Sequence, residues 1–429
     1  MDSDKHAAQH AQGFGKRIHR WAGGKINRLL DLDATNSSAS DPAEGTSTES
    51  ESDHFRVRFK TPALGDASAD ASKPYPPTID VENVEFLGQV HSATTYVKRD
   101  LGFQGRLGEH ILLSYGDTMY SDAEYSDKWR GMVSDSVALA THDPLVVVDP
   151  ALNHDGYPEQ FCPLDASRGE DASEYSLGIT NVVSTVEADT DLNTDRDNTG
   201  VMFFLLNHRP GGINHILGAG IATVSLDTST YPPAPQIQRH PPPQGHHHHQ
   251  QHQFWWDGER EPWYGDICAL RWDEHIYAYG HGGEGNPWVY VARVPAANAT
   301  QLDRYEYWNG DEWQAERLQK DSIGEKESVF WQINQGQVVY SKWFGCFIFV
   351  YCDNFMNSRV HVKTAQHPQG PWSDPPVMVY QAKPLLPGEE NGCIYAAVPH
   401  PYFDESGKTL VVTFTNHPNT IQAVKVVFA

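Results

Sequence analysis

The segment 100–118, DLGFQGRLGEHILLSYGDT, carries two short acids in settings that can do chemistry. Asp100 precedes Leu-Gly, and Asp117 lies in Gly-Asp-Thr directly after an apolar run, where a strand end can project a carboxylate into a central funnel. A strand, a turn and a returning strand between them would bring the two acids together. Glycoside hydrolysis needs such a pair: one carboxyl protonated to release the leaving oxygen, the other ionised as nucleophile or base. An Asp after a strand also caps turns, so spacing alone leaves both roles open. Asp266, in Gly-Asp ahead of ICALRW, repeats the setting of Asp117 and is the third catalytic candidate. Asp135, in a polar turn entering VALAT, is assigned to substrate binding; Glu327, Glu389 and Glu390 are further carboxylates near strand ends. Ten of the twelve Trp lie between Trp255 and Trp372. Sugar rings present an apolar C–H face that suits an aromatic wall, and Trp255, Trp256 and Trp263 flank a loop-like segment, so they are the substrate-binding candidates. His400, in PHPYF, and His417, in TNHPN, stand at the ends of late strands. No Gly-x-Ser-x-Gly, phosphate-binding loop, dinucleotide fingerprint or His-Glu-x-x-His is present, so no nucleotide or other cofactor is expected.

Short apolar or alternating runs closed by turn residues must position these side chains. They include HILLSYGD (110–117), PLVVVD (144–149), GVMFFLLNH (200–208), HIYAYGH (275–281), WVYVARV (288–294), CFIFVYCD (346–353), RVHVKTA (359–365) and TLVVTFTNH (409–417). Each reads as a strand. Roughly twenty such strands from residue 82 onward need an architecture that protects sheet edges, and radial repetition does so. The expectation is an all-β, five-bladed β-propeller over residues 82–429, with six blades as the alternative. Three stretches read as loop insertions: 151–175, polar; 187–199, acidic; and 230–253, with six Pro and six His. Residues 1–80 form a disordered, charge-blocked leader in this reading. Within it, residues 14–30 hold five Lys or Arg and no acid, enough for a short amphipathic helix that contacts a membrane surface or a protein; 31–54 hold seven acids.

The motifs Asp100-Leu101-Gly102, Tyr115-Gly116-Asp117-Thr118, Ser134-Asp135-Ser136-Val137-Ala138, Val291-Ala292-Arg293-Val294, Thr364-Ala365 through Gly370-Pro371-Trp372-Ser373 and Ala397-Val398-Pro399-His400-Pro401 occur in that order. Together they resemble a propeller family catalogued as a domain of unknown function, some of whose bacterial members are endo-acting D-arabinanases. The resemblance spans about residues 82–429. It implies a five-bladed propeller similar to the arabinanase and fructosidase clans, with a carboxylate-lined funnel. It also implies Asp100 and Asp117 as catalytic acids and His400 as a funnel residue that contacts substrate or orients an acid.

Composition narrows the rest. Lys plus Arg is 32 and Asp plus Glu is 56, a net charge of −24, which repels nucleic acid and anionic lipid over most of the surface. Five cysteines in this length make neither a disulfide framework nor a zinc site, so no metal is expected. The N-terminus lacks a signal-peptide pattern, which makes a cytoplasmic monomer the default expectation and non-classical export the alternative. The function read from these features is hydrolysis of a furanose-containing, arabinan-like polysaccharide. The alternatives are a non-catalytic propeller that binds glycan or protein, and an enzyme of another class.

Overall fold

The runs read as strands are extended chain in a computed structural model of the protein, which describes residues 58–59, 72–122, 128–186, 198–242, 254–331, 333, 335–353, 358–385 and 394–429. The helix expected at 14–30, most of the leader, most of the acidic stretch, the four-His tract, and Glu389 and Glu390 lie outside the described residues. The all-β expectation holds: among the described residues there are strands and single 3-10 turns, and no α-helix.

The strands fall into meanders in which each strand pairs antiparallel with the next. The first holds β2 (His91–Ser92), β3 (Tyr96–Leu107), β4 (His110–Ser121), β5 (Trp129–Val133), β6 (Ser136–Ala140) and β7 (Val146–Val148), in the spatial order β3-β4-β6-β7-β2 with β5 on β4. Only β2 departs from the antiparallel rule, lying parallel to β7. The second holds β8 (Tyr175–Ser184), β9 (Thr199–His208), β10 (His215–Asp227) and β11 (Ala234–Arg239), with β12 (Trp256–Asp257) on β10. The third holds β13 (Cys268–Trp272), β14 (His275–His281), β15 (Trp288–Pro295), β16 (Glu306–Trp308) and β17 (Trp313–Gln314), with β18 (Phe330–Trp331) on β15. The remaining strands are β19 (Gly336–Ser341), β20 (Cys346–Cys352), β21 (Arg359–Ala365), β22 (Val377–Gln381), β23 (Ile394–His400), β24 (Thr409–Asn416) and β25 (Thr420–Phe428). They form two meanders, β19 to β22 and β23 to β25, joined by one parallel pair, Gly336 with Ala397. The second of these is completed by β1 (Val81–Gln89), which pairs with β25 from Val81–Phe428 to Gln89–Gln422.

Each meander has one inner strand, and these five neighbour one another in cyclic order: β3, β8, β13, β19, β23 and back to β3. The contacts between them lie at one level. A Cβ on Gly105 would stand 2.0 Å from the Val182 carbonyl, so only glycine lets β3 and β8 approach this closely. The Asn181 side chain donates to the Ala269 carbonyl and accepts from its N–H, both at 2.8 Å, tying β8 to β13. The Val338 backbone hydrogen-bonds the Cys268 thiol, tying β13 to β19. Gln337 accepts from the Gln104 N–H at 3.1 Å and donates to its carbonyl at 2.7 Å, reaching β3 from β19. Side-chain amides therefore satisfy backbone groups that no ladder reaches.

Apolar side chains fill the spaces between adjacent sheets. Leu112 and Leu139 meet Leu177 and Phe204 between the first and second, and Phe203 and Ile221 meet Ala278 and Tyr290 between the second and third. Tyr279 and Val291 meet Val338 and Phe349 between the third and fourth. Residues 151–175, expected as a polar insertion, supply Phe161, Cys162 and Glu170 to the interior beside the first of these cores. Phe59, within the expected leader, is buried against Tyr402 and Phe403, and its N–H donates to the Glu109 carbonyl at 2.8 Å.

Candidate active site at the N-terminal ends of the inner strands

Asp100 lies on β3, four residues before Gln104, where the β3–β4 register shifts between Arg99 and Leu101 and again between Leu101 and Phe103. Leu101 takes φ 69° and Gly102 φ 95°, a left-handed pair that bends the strand at this point. The Leu101 N–H donates to Thr415 Oγ1 at 2.9 Å, which satisfies a backbone group the bulge removes from the ladder. Asp100 Oδ2 accepts from the Tyr395 hydroxyl of β23 at 2.8 Å. Its Oδ1 lies over Gly116, where a Cβ would come within 2.4 Å of it. The glycine of Tyr-Gly-Asp-Thr therefore makes room for the carboxylate on the neighbouring strand.

Asp117 follows on β4. The pairs Arg99–Thr118 and Leu101–Tyr115 bracket Asp100 against Gly116 and Asp117, so both acids stand at one height of one hairpin. The Asp117 carbonyl accepts from Asn419 Nδ2 at 3.3 Å. Arg99, next to Asp100, is spent elsewhere: its guanidinium makes two bonds to Asp149, at 2.9 and 3.1 Å, and lies over the Tyr115 ring. Burial works to raise the Asp149 carboxyl, but the Arg99 charge and hydrogen bonds from Arg99, Ser92 and Thr95 hold it below the usual carboxylate range.

Asp266 precedes β13 by two residues and Ala269 by three. Its Oδ1 accepts the His281 N–H at 2.9 Å and its Oδ2 the His281 Nδ1 at 2.8 Å, so one histidine at the end of β14 holds both oxygens. Burial disfavours the charged imidazolium, yet the Asp266 charge, the Asp266 hydrogen bond and a ring hydrogen bond donated to the Ile333 backbone outweigh it and raise the His281 pKa. With both oxygens engaged by one imidazole, Asp266 is placed to stabilise positive charge. Trp263 sits on the same turn: its N–H donates to the His281 carbonyl at 2.8 Å, its Nε1 to the Gly258 carbonyl at 2.9 Å, and Lys320 Nζ lies 5.1 Å from its ring centre.

Asp100 on β3, Tyr395 on β23 and Asp266 just before β13 precede the level of inner-strand contacts by two to four residues. At roughly 3.3 Å per residue they stand about 7–13 Å to one side of it. Asp100, Asp117, Asp266 and Trp263 are thereby brought to one end of the inner strands.

The other sequence candidates are not. Asp135 is 0% exposed between the first and second sheets, where Cys162 N–H donates to Oδ1 at 2.6 Å. Burial pushes its carboxyl up to about 7, against hydrogen bonds from Cys162, Ser134 and Phe161 and the Arg239 charge, which lower it. Arg239 itself is bound by Glu170 at 2.6 and 3.1 Å. Asp135 thus anchors the segment around Cys162 and offers substrate no open face. Trp255 and Trp256, 2% and 0% exposed, pack with Tyr305 in the core between the second and third sheets, and Trp256 Nε1 donates to the Tyr307 hydroxyl at 3.0 Å. They are core residues, not cleft walls. His400 ends β23 three residues beyond Ala397, on the far side of the contact level, 3% exposed and bonded to Thr413 and Tyr402. Burial lowers its pKa to about 3, so it is neutral, and neither of its hydrogen-bond partners is an acid. Sequence reasoning missed His281 and Tyr395. His281 closes the run HIYAYGH ahead of Gly-Gly-Glu-Gly, a turn signal that marks a strand-end side chain. Among the described residues no group of three His, Cys, Asp or Glu is arranged to hold a metal ion.

Residues 236–424 match a family described as "Domain of unknown function (DUF4185)". The match is narrower than the resemblance read from the motifs and leaves out Asp100 and Asp117. No curated protein matches the chain. Among solved structures, a Bacteroides ovatus protein described as a candidate hydrolase is similar in fold, with a TM-score of 0.50 and 16% identity, over 82% of this chain and 87% of that one. A GH43_1 enzyme from Xanthomonas citri gives 0.41 and 11%, over 80% and 90%. An exo-β-1,3-galactanase from Phanerochaete chrysosporium gives 0.38 and 10%, over 79% and 68%. The chain is thus similar in sequence, over residues 236–424, to a family of unknown function, and similar in fold, over most of its length, to the Bacteroides ovatus protein.

Proposed function

We propose that residues 82–429 form a five-bladed β-propeller glycoside hydrolase that cleaves a furanose-containing, arabinan-like polysaccharide. Five blades are supported by the cyclic order of the inner strands and by β1, which completes the sheet of β25. The observation that carries the chemistry is the placement of Asp100 and Asp266 toward one end of those strands, with Asp117 at the height of Asp100 on the adjacent strand of its hairpin. Asp100, accepting a phenol hydrogen from Tyr395, is the nucleophile or base. Asp117, across the hairpin, is the acid. Asp266 is a stabiliser of the oxocarbenium-like transition state. Trp263, beside Asp266, is the aromatic wall.

The test is product release from arabinans, galactans, fructans and fungal wall glucans by the unsubstituted protein and by Asp100→Asn, Asp117→Asn and Asp266→Asn, each checked for folding by near-UV circular dichroism. Cleavage of one substrate, lost in the first two variants, upholds the reading. Binding without cleavage by the unsubstituted protein makes this a glycan-binding propeller instead.

A further inference from the structure

The third meander carries a feature that the acid centre does not use. Trp331 is 46% exposed, yet its backbone is fixed. β18 pairs with β15 through Trp288–Trp331 and Val289–Phe330, and the next residue back, Val329, donates its N–H to the Val289 carbonyl at 2.8 Å. Phe330 is buried and stacks on Phe349 with ring centres 4.2 Å apart. Trp288, half-buried, packs edge-to-face with Trp331, ring centres 4.3 Å apart. A single exposed apolar residue is ordinary. A strand-anchored pair of indoles is different, because it offers a rigid apolar face with little conformational entropy left to lose on binding.

The pair is also continuous with the acid centre. Two residues beyond Trp331, the backbone of Ile333 hydrogen-bonds the His281 imidazole that holds Asp266. Across the sheet the order runs from β13 through β14, which ends in His281, and β15, which begins at Trp288, to Trp331 on β18. At roughly 4.8 Å per strand, Trp331 stands about 15 Å from β13. That is beyond the reach of a sugar ring whose bond is being cleaved at the acids, and within reach of a neighbouring stretch of the same glycan. The net charge of −24 favours a neutral chain over an acidic one.

We propose that Trp331, backed by Trp288, is a stacking platform for a distal sugar of a neutral glycan chain whose other part lies at Asp100 and Asp266. This rests on the hydrolase reading and deepens it by naming a chain, rather than a short glycoside, as the substrate. The apolar face of a sugar ring packs on the exposed indole, and only a ligand long enough to span both places gains from it.

The experiment uses the full chain carrying Asp100→Asn, so that ligands stay intact. It measures affinities for neutral arabino-, galacto- and fructo-oligosaccharides of increasing length by calorimetry, with and without Trp331→Ala or Trp331→Tyr. Trp331→Ala is expected to weaken binding of the longest ligands about tenfold and leave the shortest unchanged, with Trp331→Tyr restoring most of the loss. Equal affinity of the Ala variant at every length, or no binding of any ligand, overturns the platform. Length-dependent loss in a protein that hydrolyses nothing upholds the platform and overturns the hydrolase reading. Hydrolysis that is indifferent to Trp331 at every chain length does the reverse.

Discussion

Four residues before the level where the inner strands meet, β3 presents Asp100 to the Tyr395 hydroxyl; three residues after it, β23 ends in His400, closed in by Thr413 and Tyr402. The two ends differ in what surrounds a titratable group. At the first, His281 meets both oxygens of Asp266, and the Asp266 charge raises the His281 pKa against the effect of burial. At the second, burial leaves His400 neutral, with no carboxylate among its hydrogen-bond partners, and Phe59 packs on Tyr402 nearby. A charged imidazole is favoured at His281, where a carboxylate faces it, and disfavoured at His400, where burial acts unopposed. On the proposed function, chemistry belongs to the first end, and the second holds the frame.

The largest test of that contrast is Asp100→Asn, which is expected to lower turnover about 10³-fold with little change in melting temperature, whereas His400→Gln should shift melting and leave turnover alone. Activity lost equally in both would erase the distinction. Next comes Trp256→Ala, expected to cost about 3–5 kcal/mol of stability in a denaturant titration, because a fully buried indole leaves a cavity. Trp331→Ala, at an exposed site, should stay within about 0.5 kcal/mol. Gly116→Ala sharpens the comparison at one atom: a Cβ 2.4 Å from Asp100 Oδ1 must displace the carboxylate, and turnover should fall about 10²-fold while the fold persists.

The remaining contrast is in pH. His400 is held at about 3 against an ordinary 6.5, so the unfolded chain takes up its proton first and stability falls as pH drops from about 6.5 towards 3. Asp135 is held at about 7 against 3.8, so its contribution falls as pH rises from about 3.8 to 7. Each slope approaches about 1.4 kcal/mol per pH unit, and they oppose one another where the windows overlap. Unfolding free energies measured from pH 4 to 6.5 should rise with pH in Asp135→Asn and fall with pH in His400→Gln, relative to the unsubstituted chain. Slopes of the same sign in the two variants would refute the opposition.

Much of the frame was legible in the sequence. The runs 275–281 and 359–365 coincide with β14 and β21, and the strands at 346–352 and 409–416 lie within one residue of the runs that marked them, because β-branched and aromatic residues between turn signals report pleated, buried chain directly. Asp100 and Asp117 were legible as a hairpin pair for the same local reason. His281 and Tyr395 were not, since their roles exist only across strands 15 and 295 residues apart in sequence. The amide links through Asn181 and Gln337, spanning 88 and 233 residues, have no local signature at all. Trp255 and Trp256 misled because an indole beside a Pro-rich segment reads the same whether its ring faces sugar or core; only packing against Tyr305 decides. Phe59 and Phe161 were hidden by polar neighbours, where composition averages away one anchoring ring.

The pairing of β1 with β25 has a consequence for how the chain is made. Val81 finds its partner in Phe428, so this sheet stays a strand short until residues 420–428 have been synthesised. A nascent chain holds β1 as an open edge throughout that interval, exposed to other strands. Contacts of this sequence separation also make folding slow once synthesis ends. A ribosome stalled before residue 420 would leave β1 without its partner, and such a product is a natural client for chaperones.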